Sequence, residues 1–231
     1  MLMSVNAKQF LEVVRPALEV GEAARLAQAV RYRWRPRQLC SLLRNPDRDV
    51  RRVAAVVLGL VGDLACVGCL ARALHDEDDQ VNEMAEHGLW SIWFRSGDPR
   101  ASTPFRQGVS LLEAECYEEA IKKFRLASRI DPEFSEAYNQ CAIAHFFVSE
   151  WHRSIRDAKR ALALMPAHFG AVSGMGHCYT HLGKLDLALR CYRRTLAMNP
   201  RMSEIGRAIQ GLEARLVPAE YRPGRFESIR L

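Results

Sequence analysis

Few positions in the chain have types and spacings that chemistry could use. Cys66-Val-Gly-Cys69 is a C-x-x-C pair. Two thiols so spaced can share a metal ion or cycle between thiol and disulfide. A structural zinc ion needs two further ligands at matching spacing, and no second C-x-x-C occurs. A redox pair works from a βαβ context, and no strand pattern surrounds this one. Packing within a helix is the default for both thiols. His177 and His181 lie four apart, on one helix face. That spacing could hold a metal, but H-E-x-x-H is absent and no third ligand is evident. A polar contact in a binding groove suits them better, with plain surface histidines as the alternative. Gly170, Gly174 and Gly176 fall on a helix rather than after a strand, so they form no dinucleotide loop. No phosphate loop, nucleophile elbow or kinase motif is present. The expectation is a protein that is not an enzyme, with no catalytic residue, metal or cofactor.

Arginine is the other conspicuous chemistry. Arg31 to Arg52 holds eight arginines against two aspartates. Two readings compete. Arg31, Arg33, Arg35 and Arg37 end a helix and surround Pro36, where cations complement a helix dipole. Arg51 and Arg52 follow an acidic turn and can pair with aspartates of their own or the next unit. The rival is a basic surface of all six (Arg31, Arg33, Arg35, Arg37, Arg51, Arg52) that binds nucleic-acid phosphates. The acidic stretch HDEDDQ about one unit further on opposes it, and only Tyr32 and Trp34 are at hand to stack on bases.

The whole chain constrains these readings. Its 231 residues, 48% hydrophobic with net charge +6, suit one or two domains with real cores. The start, MLMSVNAKQFLEVVRPALEV, lacks a basic region followed by an apolar core. No apolar run approaches a membrane span, so no membrane partner is expected. Seven cysteines, an odd number scattered through apolar stretches, suggest reduced buried thiols and a cytoplasmic location.

The elements that would position these residues emerge from self-similarity. Asp131-Pro132, Met165-Pro166 and Asn199-Pro200 stand 34 residues apart, and each ends a two-helix pattern. Gly108, Ala142 and Gly176 share one small-residue slot, and Ala120, Ser154 and Ala188 a second. Phe124, Ala158 and Tyr192 share a third, and Ala127, Ala161 and Thr195 a fourth. Small residues let antiparallel helices approach, and the larger one fills the space between them. This stretch, about 101–202, resembles the tetratricopeptide repeat (TPR), whose period is 34 residues. Its middle unit departs at Cys141, His145, Ser154 and Ala158, which implies looser packing there. The helix near Ser203–Leu216 would cap the array. Upstream, Leu39, Leu43, Asp47, Val50, Ala54 and Leu58 map onto Leu70, Leu74, Asp78, Val81, Ala85 and Leu89, each 31 apart. The turns NPDRD and DEDDQ would cap the second helix of each unit. This part, about 22–97, resembles short bacterial HEAT repeats, preceded by capping helices at about 5–18 and 22–34. The fold expected is all-α, a right-handed α-solenoid of HEAT-like helix pairs joined to three TPR helix pairs and a capping helix. The expected divisions are a HEAT-like domain at 1–97, a joint at 98–104 with a helix start at Thr103-Pro104, a TPR domain at 105–216 and a tail at 217–231.

The TPR resemblance implies a concave groove lined by the first helix of each pair. Its peptide-binding residues would be Phe105, Arg106, Val109 and Leu112, then Asn139, Gln140, Ile143, Phe146 and Phe147, then His177 and His181. An apolar strip flanked by polar groups suits a peptide or partner helix. The alternative is that the HEAT array fills it, or the tail with Tyr221, Phe226, Ile229 and Leu231. Some TPR co-chaperones clamp an acidic C-terminal peptide with lysine, asparagine and arginine. The matching positions here are Phe105, Val109, Gln140, Gly170 and Gly174, so that partner class is not expected. The function expected is a non-catalytic interaction scaffold for a protein or peptide partner.

Overall fold

The computed structural model describes residues 5–216. Among them are thirteen α-helices and no strand. Helices α1 (Ala7–Val20) and α2 (Ala23–Arg33) form the first pair. Helix α3 (Pro36–Leu39) runs into a 3-10 turn at Cys40–Arg44 and pairs with α4 (Arg48–Val61). A 3-10 turn at Leu64–Cys66 leads to α5 (Val67–Ala73), which pairs with α6 (Asp79–Arg95). Three hairpins of the 34-residue period follow: α7 (Pro99–Glu113) with α8 (Tyr117–Ile130), α9 (Ser135–Phe147) with α10 (Trp151–Leu164), and α11 (Phe169–His181) with α12 (Leu185–Met198). Helix α13 (Ser203–Leu216) covers the last pair.

The acidic turns cap as their sequence implies. The Asp47 carboxylate accepts from the Asp49 amide at 2.8 Å, starting α4. The Asp78 carboxylate accepts from the amides of Gln80 and Val81, both at 3.1 Å, starting α6.

Helix α6 organises the molecule because it is buried on two sides. One side meets α4 so closely that a Cβ at Gly59 would stand 3.1 Å from Gly88 Cα. The other side receives the turns between the 34-residue hairpins. Phe134 packs against Gly97 just past the end of α6. His168 stacks on Trp93 at 4.1 Å between ring centres, and Phe169 meets Trp90 and Trp93 edge-on. Asn199 donates to Glu86 at 2.9 Å, and Arg201 pairs with Asp79. These contacts advance from the C-terminus of α6 to its N-terminus, one repeat at a time. A helix of 17 residues is about 25 Å long, enough to span two repeat spacings of about 10 Å. The packing carries a buried polar cluster with it. Glu136 is fully buried, takes His168 Nε2 at 2.7 Å and accepts from Asn139 and Gln140 at 3.0 and 2.7 Å.

Two expectations are corrected. The joint is shorter than 98–104. Asp98 caps α7 by accepting from the Arg100 amide at 2.8 Å, and Pro99 takes the first turn, where its missing N–H costs nothing. Thr103-Pro104 therefore lies inside α7. The edge of the second array lies along the last helix of the first, reaching Asp79 from Arg201. The Cys40 and Cys69 sulfurs form a disulfide across a Cα–Cα distance of 5.8 Å, so the expectation that all the thiols are reduced does not hold for these two. No helix among the described residues is long and apolar enough to cross a membrane. The tail, with Tyr221, Phe226, Ile229 and Leu231, lies outside the described residues.

Candidate functional site

The 34-residue slots build the site by difference. In the first hairpin the Phe124 ring lies over Gly108, and a Cβ there would come within 2.6 Å of a ring carbon. Tyr192 covers Gly176 in the third hairpin in the same way. In the middle hairpin Ala142 faces the slot and Ala158 replaces the aromatic. Nothing fills the space. A cavity of about 220 Å³ results, walled by Ala142, Ser154, Ala158, Ala171 and Gly174 and opening past Ile143, Phe146, Phe147 and His177. A degenerate repeat thus produces a hole that its two neighbours lack.

Aromatic rings frame the opening. Tyr117 stacks on Phe147 at 4.9 Å, and Phe146 meets Phe147 and His181 edge-on at 5.8 and 5.2 Å. Trp151 stacks on His181 at 5.1 Å. His177 is held by a 2.9 Å hydrogen bond between its Nδ1 and the Tyr192 hydroxyl. Packing around His177 pushes its imidazole below the ordinary histidine range, and the nearby His181 charge adds to this. The ring is therefore neutral near pH 7 and sits at an apolar rim without carrying a charge into it.

The expected groove residues divide. Ile143, Phe146, Phe147 and His177 converge on the cavity, and Phe147 is 53% exposed. His181 stands beside them against Phe146 and Trp151. Val109 and Leu112 are half-buried against the first hairpin's core. Arg106 faces a separate depression with Gln107 and Lys123. Asn139 lines the cavity too, while its amide nitrogen donates to Glu136. Two residues are corrected. Phe105 is 2% exposed, in the core with Phe94, Phe124 and Phe134. Gln140 is 6% exposed and is spent on Glu136. Tyr117, Trp151 and the small residues of the cavity wall were missed. The signal for the wall was present in the missing aromatic at Ala158, which suggested loose packing rather than a hole.

The basic surface loses two of its six members. Arg51 is 6% exposed and grips Asp76 with two hydrogen bonds of 2.9 Å. It also donates to the carbonyls of Asn45 and Pro46. Arg52 holds Asp78 at 2.8 Å. Both arginines bind the acidic turn of the next unit, as the first reading of the sequence has it. Arg31, Arg33, Arg35 and Arg37 are exposed.

The comparisons with known proteins agree with this architecture. A family model described as HEAT repeats matches residues 36–110, running from α3 into α7. A TPR repeat-containing protein of Rhizobium etli is 26% identical over 108 residues, covering 47% of this chain and 53% of its own. The small glutamine-rich tetratricopeptide repeat-containing protein 2 of Saccharomyces cerevisiae is 30% identical over 90 residues, covering 39% of this chain and 26% of its own. The chain therefore spans about half the length of the first of these relatives and a quarter of the second. Among solved structures, the first TPR of Spaghetti (RPAP3) bound to the HSP90 peptide SRMEEVD superposes with a TM-score of 0.50 at 24% identity, over 52% of this chain and 96% of that one. The Sgt2 TPR domain from Aspergillus fumigatus gives 0.51 at 16% identity, over 58% and 93%. Repeat periods, helix pairing and these likenesses together make the chain an all-α solenoid of HEAT repeats followed by tetratricopeptide repeats.

Proposed function

We propose that the chain is a non-catalytic interaction scaffold whose tetratricopeptide segment receives an apolar side chain of a partner peptide or helix between its second and third hairpins. One observation carries this reading: the vacated slot at Ala158 leaves an apolar cavity of about 220 Å³ that opens beside an exposed Phe147. Apolar anchors in a preformed pocket supply affinity, while rim groups set register. His177, His181 and Trp151 are the rim groups here. The relative in complex with SRMEEVD is a peptide binder, but its acidic ligand does not transfer to this chain. Gln140 is committed to Glu136, and Gly170 and Gly174 offer no side chain to a carboxylate.

The test is photo-cross-linking in lysate with a benzophenone amino acid at Phe147, and at exposed Arg190 on α12 as the control. The reading predicts a protein adduct from position 147 that nuclease does not affect, that Arg190 does not give, and that Ala142→Gly/Ala158→Phe abolishes. Equal adducts from both positions, or adducts that nuclease removes, would refute it.

A further inference from the structure

Behind the groove, three metal-ligating side chains converge. Cys141 and His145 lie four apart on α9, and Asp157 reaches them from α10. One ligand atom from each lies within 4.8 Å of the others. The set belongs to the middle hairpin alone. The positions 34 residues either side hold Gln107 and Met175 for Cys141, Leu111 and Tyr179 for His145, and Lys123 and Cys191 for Asp157.

Three further observations give the set the form of a cation site. First, Glu150 Oε2 stands 2.6 Å from His145 Nδ1, and His145 Nε2 stands 3.5 Å from Asp157 Oδ2. A carboxylate behind a histidine is the usual support of a metal-bound imidazole. Second, Asp157 Oδ2 is sealed from solvent and has no hydrogen-bond partner. A buried carboxylate oxygen left so costs free energy that a cation would offset. Third, His145, alone of the three, lines an open depression of about 710 Å³, whose other charged residues are Glu118, Lys122, Arg125, Glu150, Arg153 and Arg156, so solvent reaches the site past the imidazole. Arg125 stands 3.2 Å from His145 Nε2, but its exposed side chain can swing outward. A reactive thiol is the competing use of such a trio. Cys141 is only 4% exposed, out of reach of a substrate.

We propose that Cys141, His145 and Asp157 bind zinc or a similar borderline divalent cation, with the fourth position open to water from the depression. Bond lengths of about 2.0–2.3 Å around a tetrahedral ion place ligand atoms about 3.3–3.6 Å apart, so the trio closes by small side-chain movements. Binding releases the Cys141 thiol proton to solvent. Ile143 and Phe147 lie on the opposite face of α9 from Cys141 and His145, so this site stands independently of the groove.

The experiment titrates chelator-stripped full-length chain with cobalt(II) alone. The proposal predicts one cobalt per chain, a thiolate-to-cobalt charge-transfer band, the visible bands of tetrahedral coordination, and displacement by zinc(II). Cys141→Ala removes the charge-transfer band while its far-ultraviolet circular dichroism matches wild type. Glu150→Gln, a change at a partly exposed carboxylate, weakens cobalt binding by about 10–100-fold. The absence of a charge-transfer band would overturn the proposal, as would one that survives Cys141→Ala. Should Cys141→Ala fail to fold, unaltered cobalt affinity in Glu150→Gln overturns it.

Discussion

Restoring the missing aromatic should restore the missing packing, but only if the facing residue changes with it. In the intact hairpins the aromatic lies over glycine, and a Cβ at Gly108 would stand 2.6 Å from the Phe124 ring. The middle hairpin has Ala142 in that place, so Ala158→Phe alone drives a ring into a methyl group. Overpacking of that kind costs about 1–3 kcal/mol and cancels the ~1.5–3 kcal/mol that burial of the ring contributes. Ala142→Gly alone costs about 1 kcal/mol through helix propensity. The double variant buries the ring without the clash and recovers about 0.5–2 kcal/mol over wild type. The coupling between the two changes is then about 1–3 kcal/mol. Urea unfolding of the four proteins, followed by circular dichroism, measures it. Additivity within about 0.5 kcal/mol would refute the assignment of the cavity to a vacated slot.

Four further outcomes follow from the same structure. Arg51→Ala leaves Asp76 unpaired near the interface of two units and lowers stability by about 3 kcal/mol in chemical denaturation, the low end for a broken buried pair; a loss below about 0.5 kcal/mol would place the pair among solvent-screened ones. The Arg52 hydrogen bond, with the α6 amides, holds the Asp78 carboxyl well below the usual carboxylate range. A folded-state pKa depressed in this way stabilises above the unfolded value of about 3.9 and is lost as pH falls below it. The drop in melting temperature between neutral and acid pH should therefore shrink in Arg52→Gln; an unchanged drop would argue against the pair. The Cys40–Cys69 bond closes 29 residues, so reduction should cost about 3.6 kcal/mol on the chain-entropy account. Seven rather than five titratable thiols in the denatured, unreduced chain would contradict the bond. Finally, SRMEEVD should show no saturable binding in calorimetry, because the side chains that would hold its carboxylates are absent.

Both periods were readable from residue spacing, because proline-stopped helices and small-residue slots recur at fixed intervals and packing demands them. The acidic turns and their arginine partners were readable for the same reason. The helix start at Asp98 was not, because two prolines offered competing first turns and only the Asp98–Asp131 contact discriminates between them. The bulk of Trp90 and Trp93 beside the joint marks a packing surface between the arrays, but their partners were hidden, because no periodic signal pairs them with His168 and Phe169. Gln140 was assigned to the groove by helical spacing, yet a buried Glu136 one turn earlier claims its amide. A buried carboxyl takes the nearest donors, and no repeat pattern records that. Cys141 and His145 were visible only as departures from the repeat and Asp157 not at all, since their convergence needs two helices brought together.

The account rests most on the vacated slot being an open receptor for an apolar side chain. Solution NMR of the alanine and isoleucine methyl groups, with benzene as the smallest aromatic probe, tests this directly. Apolar cavities of this size class take up such molecules. The account predicts saturable shifts at Ala142, Ile143, Ala158 and Ala171, and their loss in Ala142→Gly/Ala158→Phe. Methyl groups that do not respond, or shifts that persist in the double variant, would contradict it.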